Sequence, residues 1–341
     1  WSLMTALAGT AKSYAQLFLY RVGVGVGEAT LSPSAYSLLA SYFPPQRLSL
    51  AVGIFSAGVT GGTGLAFLLG GALIAWVYEL GDVNVPLFGT YSGWRAVMVL
   101  VGLLGLPVAL LMFLVREPPR PHGFARAHVR EVWRHGRERA ADYGYVFVGY
   151  GATAITAYSV MAWTPALYTR QYGATIPQAA ATLGMVALVG GLLGAVSGGL
   201  FADRLMRRGV AHAQLLALSL CGWGLLLPGV VAPLMPTLLG HAAVIFFTFF
   251  FGTAATGPAG AYVQSITPEN MRAQFGALYQ LSLTLVGATL GPFLVGFFTD
   301  ALFGSEQALR YSLALVAALA NPLAAWLLWR GWQRARDQSK T

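Results

Sequence analysis

Long apolar runs alternate with short polar connections along the whole chain. The runs cover about 1–11, 15–43, 49–78, 94–115, 144–169, 178–202, 211–233, 238–266, 274–299 and 309–330. A helix needs roughly 20 apolar residues to cross a bilayer. Nine of the runs are therefore expected to span one, and the first is a stub. The connections are mostly short, so successive spans should run antiparallel.

Composition gives the same answer. Apolar residues make up 56% of the chain and charged residues 10%, against about 25% charged in a soluble domain. The fold class expected is an all-α polytopic membrane protein. Lysine and arginine then orient it, because cytoplasmic loops carry the excess. Sixteen of the 21 basic residues fall near Arg47, in 116–142, 203–209 and 267–273, and in the C-terminal tail. The alternate connections hold only Lys12, Arg95, Arg170 and Arg310. The net charge of +9 follows from this bias. It is spread over short loops, which excludes a nucleic-acid partner. Arginine outnumbers lysine 19 to 2, a composition of GC-rich bacterial genomes, so a bacterial inner membrane with a cytoplasmic C-terminus is expected.

The longest polar segment, 116–142, divides the chain into helical units at 1–115 and 143–341. It is expected to be a basic cytoplasmic linker. A surface-lying amphipathic helix within 124–139 would carry Phe124, Val129, Val132 and Trp133 among arginines. The five histidines and lone Cys221 assemble no metal or nucleophile cluster with a carboxylate at ligand spacing. No enzyme, cofactor or metal is therefore expected; a membrane-embedded transferase is the competing class.

The run LYRVGVGVGEATLSPSAY, 19–36, holds the charged residues that most need explaining. Arg21 and Glu28 are seven residues apart, nearly two helical turns, so they share a face about 10 Å apart along the axis. Charges within the bilayer cost at least about 2.5 kcal/mol and face a bundle interior or water. Arg21 is a candidate to hold an anionic substrate group through paired hydrogen bonds, and Glu28 a candidate proton carrier. A structural clamp, or Arg21 snorkelling to the outer interface, is the alternative. Gly23, Gly25 and Gly27 are expected to let neighbouring backbones approach. Pro33 should kink its helix. In the second unit the candidate pathway residues are Tyr150, Tyr158, Tyr262 and Gln280. They are aromatic and weakly polar, which suits a bulky or amphipathic solute.

A 225-residue shift aligns the chain with itself. Gly27 meets Gly252, Ala29 meets Ala254, Pro33 meets Pro258, Arg47 meets Arg272 and Gly62 meets Gly287. Two halves of one fold imply a transporter architecture, with its site between them near mid-membrane. The chain starts without a Met or a basic leader, and the first half has three spans and a stub against six in the second. About two and a half helices are expected upstream.

Two motifs point to a family. GGLFADRLMRRG, 198–209, resembles the loop signature of the major facilitator superfamily in its second-half copy. Leu17, Arg21, Gly25, Gly27 and Ala29 resemble that superfamily's helix-four signature. GWR at 93–95, REPPR at 116–120, WTPALYTRQYG at 163–173 and LVGATLGPFLVGFFTD at 285–300 are similar to spinster-like members. The resemblance implies two pseudo-symmetric six-helix bundles and a monomeric secondary transporter working by alternating access. Proton coupling is expected, with a small organic, amphipathic or lysolipid-like solute; a sugar or organic-anion permease is the alternative. It also implies a cytoplasmic latch. Asp203 would sit over the N-terminus of the helix after Pro44 and Pro45 and pair with Arg272, with Arg204 and Arg47 beside it.

Overall fold

A computed structural model describes residues 1–81, 83–85, 89–115 and 127–339. Among these, eight stretches are long and apolar enough to cross a membrane. The first unit holds α1 (Ser2–Gly9), α2 (Tyr14–Ala29), α3 (Leu31–Tyr42), α4 (Pro45–Leu80) and α5 (Gly93–Leu110). A linker helix, α6 (Val129–Glu138), precedes α7 (Ala140–Tyr172), α8 (Ile176–Arg207) and α9 (Ala213–Val231). The chain continues through α10 (Leu238–Ala254), α11 (Thr256–Ile266), α12 (Arg272–Ser282), α13 (Leu290–Phe297) and α14 (Leu309–Gln338). Between α12 and α13 the helix widens into π-turns over Leu283–Thr289.

Two features differ from the sequence pattern. The run 15–43, expected to be one span, is two helices divided at Thr30. Pro33 has no N–H for the Ala29 carbonyl, and the Thr30 hydroxyl donates instead to the Gly27 carbonyl (3.2 Å). The same break recurs at Ala255, between α10 and α11 and three residues before Pro258. The second difference is a two-stranded hairpin, Val83–Val85 against Gly89–Tyr91, in the connection between α4 and α5. In the linker, α6 begins at Val129; residues 116–126, including Phe124 and the REPPR stretch, lie outside the described residues.

The second unit is tied internally by buried polar groups, as a chain in hydrocarbon requires. The Thr156 hydroxyl donates to Asn321 Oδ1 (2.6 Å), and Asn321 Nδ2 donates to the Leu225 carbonyl (3.2 Å). This knot joins α7, α14 and α9. The two units meet along α4 and α8, and again where α3 packs on α12 and α11 on α4. Under the 225-residue shift, α3 becomes α11 and the start of α4 becomes α12. The two contacts are therefore copies of one another across a pseudo-twofold axis.

Bare backbone makes the α4–α8 contact close. A Cβ on Gly199 would lie 2.7 Å from the Ser49 carbonyl oxygen, whereas one on Gly62 would meet nothing within 4 Å. Alanine is the better helix former by about 0.5–1 kcal/mol, so the two sites should respond oppositely. Gly199→Ala is expected to lower the melting temperature in detergent, through overpacking worth about 1–3 kcal/mol. Gly62→Ala should leave it unchanged or raise it.

Candidate functional site

A cavity of about 470 Å³ lies between the two units. Tyr150 and Thr248, on its wall, each stand about ten residues from a helix end, roughly 15 Å in and so near the middle of a bilayer. α3 contributes Ser32 and Tyr36, and α4 contributes Ser56, Thr60 and Thr63. The second unit contributes Tyr150 and Tyr158 from α7, Thr248 and Thr256 from α10 and α11, and Tyr279 and Gln280 from α12. The wall is mainly aromatic rings, hydroxyls and aliphatic groups, with no charged residue on it among the described residues. The Thr248 hydroxyl is buried and without a protein partner.

Below the cavity, toward the helix ends that carry Arg47, Arg139, Arg204 and Arg272, the two units are sealed by rings. Tyr279 stacks on Tyr150 (5.9 Å between centroids) and touches Tyr36 (6.1 Å), which meets Phe55 edge-on (5.6 Å). One layer further out, within the second unit, Tyr143 stacks on Phe275 (4.3 Å), and its hydroxyl is 2.7 Å from Thr267 Oγ1. Toward the opposite end, α2 packs chiefly on α1 and α3 rather than on the second unit. The cavity is thus closed at the basic end.

Asp203 lies in this seal, 1% exposed. Its Oδ1 accepts from the Ser49 N–H (3.1 Å) and its Oδ2 from the Leu50 N–H (2.9 Å). A carboxylate on the second unit thus holds the start of α4, where the helix dipole is positive. Arg207, one turn on, donates to the Gln46 carbonyl (3.3 Å). Asp203 does not pair with Arg272, as the resemblance suggested. Both its oxygens are taken by backbone N–H groups, and Arg272 faces Glu269 (3.5 Å). Arg204 and Arg47 are exposed. Arg207 was passed over in the sequence, although its i,i+4 spacing from Asp203 puts both on one face.

The other candidate residues divide. Tyr150, Tyr158 and Gln280 line the cavity. Tyr262 does not: α11 carries it past the Ala255 break, into a separate pocket of about 260 Å³ beside Arg139, Asp142 and His212. Arg21 and Glu28 are exposed and off the cavity wall. Arg21 and Glu28, seven residues apart, share one stripe of α2, and beyond the break at Thr30 Ser32 and Tyr36 of α3 line the cavity. Gly25 sits on that stripe with nothing within 4 Å of its Cβ position, so it is no packing contact. A two-residue step turns the helix by about 200°. Gly23 and Gly27 point the other way, where a Cβ would lie 2.8 Å from Met4 and from the Trp1 backbone nitrogen.

The Major Facilitator Superfamily profile matches residues 1–292. The chain belongs to the major facilitator superfamily. It is 29% identical over 335 residues to an MFS-type efflux pump of Mycolicibacterium smegmatis, covering 96% of this chain and 74% of that protein. It is 25% identical to a D-galactonate transporter of Escherichia coli, covering 94% of this chain and 76% of that one. A bacterial homolog of the human lysosomal transporter spinster, solved inward-facing and occupied, superposes with a TM-score of 0.59 at 24% identity. The match covers 100% of this chain and 80% of that structure. The fold is thus the major facilitator fold, with spinster-like relatives among its neighbours.

The Asp203 contact makes a prediction about conformation. Asparagine has a single accepting oxygen, and its amide would oppose a donor. Hydrogen bonds to a charged group are worth about 1.5–3 kcal/mol. Asp203→Asn is therefore expected to raise the population open at the basic end roughly tenfold or more. Labelling of Gln280→Cys from that end should speed up accordingly. Arg204→Gln, at an exposed side chain, should leave the labelling rate unchanged.

Proposed function

We propose that the chain is a secondary active transporter working by alternating access on a small organic or amphipathic solute, with a proton as coupling ion. The observation that carries this is the mid-depth cavity between two pseudo-symmetric units, sealed at one end by contacts that can break as a set. If the arginine-rich end is cytoplasmic, this conformation is outward-facing. The solute's apolar body would lie against Tyr150, Tyr158 and Tyr279, with hydroxyls such as Thr248 taking its polar groups. No other macromolecule is needed for the cycle, and a monomer suffices.

Arg21 and Glu28 extend the cavity face toward the open end. Arg21 would draw in an anionic group and Glu28 would load and release the proton. Pro33 and Pro258, each breaking its helix three residues earlier, supply matched hinge points. A second reading, an organic-anion permease, draws support from the likeness to a D-galactonate transporter and from Arg21. In that case the anionic group would be part of every substrate.

Uptake into proteoliposomes separates these roles. Arg21→Lys is expected to lose transport of anionic solutes as fully as Arg21→Ala, since a point charge does not replace a planar fork. Full transport by both variants would remove Arg21 from the path. Glu28→Gln should still bind and equilibrate solute but fail to accumulate it under an imposed pH gradient. Accumulation by Glu28→Gln equal to wild type would leave that carboxylate structural.

A further inference from the structure

The linker helix α6 presents three faces. Val132, His135 and Gly136 dock on the bundle: His135 Nε2 lies 3.2 Å from the Tyr143 hydroxyl, its ring meets Phe275 edge-on (5.5 Å), and Gly136 abuts the same Phe275. At about 100° per residue, the next positions round the helix are Val129 and Trp133, which are 86% and 70% exposed. Beyond them come Arg137, Arg130 and Arg134, all exposed. The helix is fixed at both ends. A capping box joins His128 and Glu131, and α7 follows directly after Arg139. Arg139, which caps the C-terminal end of α6, reaches the Ile266 carbonyl at the end of α11 (3.5 Å), so α6 ends at the depth at which the spans end.

We propose that α6 is a docking surface for anionic phospholipid of the leaflet at the basic end. Val129 and Trp133 enter the interface and Arg130, Arg134 and Arg137 bind headgroup phosphates. Apolar residues between a protein-facing side and an arginine side are the order a helix needs to lie in an interfacial plane. Each arginine near an anionic surface adds roughly 1 kcal/mol of attraction, and the two acids beyond Arg134 are both engaged: Glu138 pairs with Arg134 (4.0 Å) and Glu131 accepts from the His128 N–H (3.1 Å). The seat has a mechanical consequence. Phe275 is followed by Gly276, whose Cβ position is 3.2 Å from the Pro33 backbone. Lipid that presses α6 onto Phe275 therefore supports the junction of α12 with α3 and favours closure at the basic end.

The test uses the whole chain in vesicles of phosphatidylcholine alone or with about a third phosphatidylglycerol. A polarity-sensitive label is attached at Val129→Cys; the native Cys221 is buried. With phosphatidylglycerol, the label should move to an apolar environment and become accessible to bilayer-embedded quenchers. Arg130, Arg134 and Arg137 changed together to Gln should weaken that response roughly tenfold or more, and changed together to Lys should largely keep it. A melting temperature equal to wild type shows that these exposed substitutions leave the bundle folded. A label equally wet in both vesicles, as on a helix projecting into water or under a protein partner, overturns the proposal. So does a label equally buried in both, which would mean anchoring without charge.

Discussion

The closed arrangement rests on one buried carboxylate. Asp203 sits on α8 with both oxygens bonded to backbone N–H groups of α4. Truncating one side of such a contact leaves a desolvated group behind, so the two units are held in register more firmly than side-chain packing alone would hold them. The bond is directional, made at the positive end of a helix, and lost completely once the helices part by a few ångströms. A contact of that kind defines two states rather than a range of intermediate ones.

Around it, glycine and aromatic residues divide the work. Where α4 and α8 touch, bare backbone at Gly199 and Gly53 allows carbonyls to come within van der Waals reach of the opposing helix. Without a hydrophobic force between helices in lipid, such close packing is the main source of association. Nearer the cavity the filling is rings, with Tyr279 touching Tyr36 across the seam and stacking on Tyr150 within its own unit. Rings can seal a path and also present a face to a solute. The same residues thus form the floor of the cavity and its wall.

Charge stays away from that wall. The hydroxyl and aromatic lining makes few demands on the solute's chemistry, while Arg21 and Glu28 stand further out on the α2 stripe. Selectivity by charge and selectivity by shape are therefore separated along the path. The breaks at Thr30 and Ala255, 225 residues apart, lie at equivalent heights in the two units, between the charged stripe or its counterpart and the seal.

The sequence by itself determined the membrane class, eight of the nine expected spans, the basic end, the repeat and the family. Each of these follows from periodicity, composition or local chemistry: a run of apolar residues must cross lipid wherever it is placed, and a proline lacks an N–H whatever surrounds it. Tyr150, Tyr158 and Gln280 could be picked out as cavity candidates because polar residues stand out in apolar helices. The split at Thr30 was half legible: the proline stood out, but not the division into two helices. Tertiary structure decided what depends on partners. Asp203 could be matched with Arg272 on charge alone, but only the docking of α4 shows that backbone N–H groups occupy both oxygens. Gly25 reads like Gly23 and Gly27 in the sequence, yet the rotation of α2 against α1 turns it to open space. Tyr262 likewise resembles the other tyrosines until the break at Ala255 carries it to a different pocket. A residue's type limits which contacts it can make, and the relative placement of helices far apart in sequence selects among them.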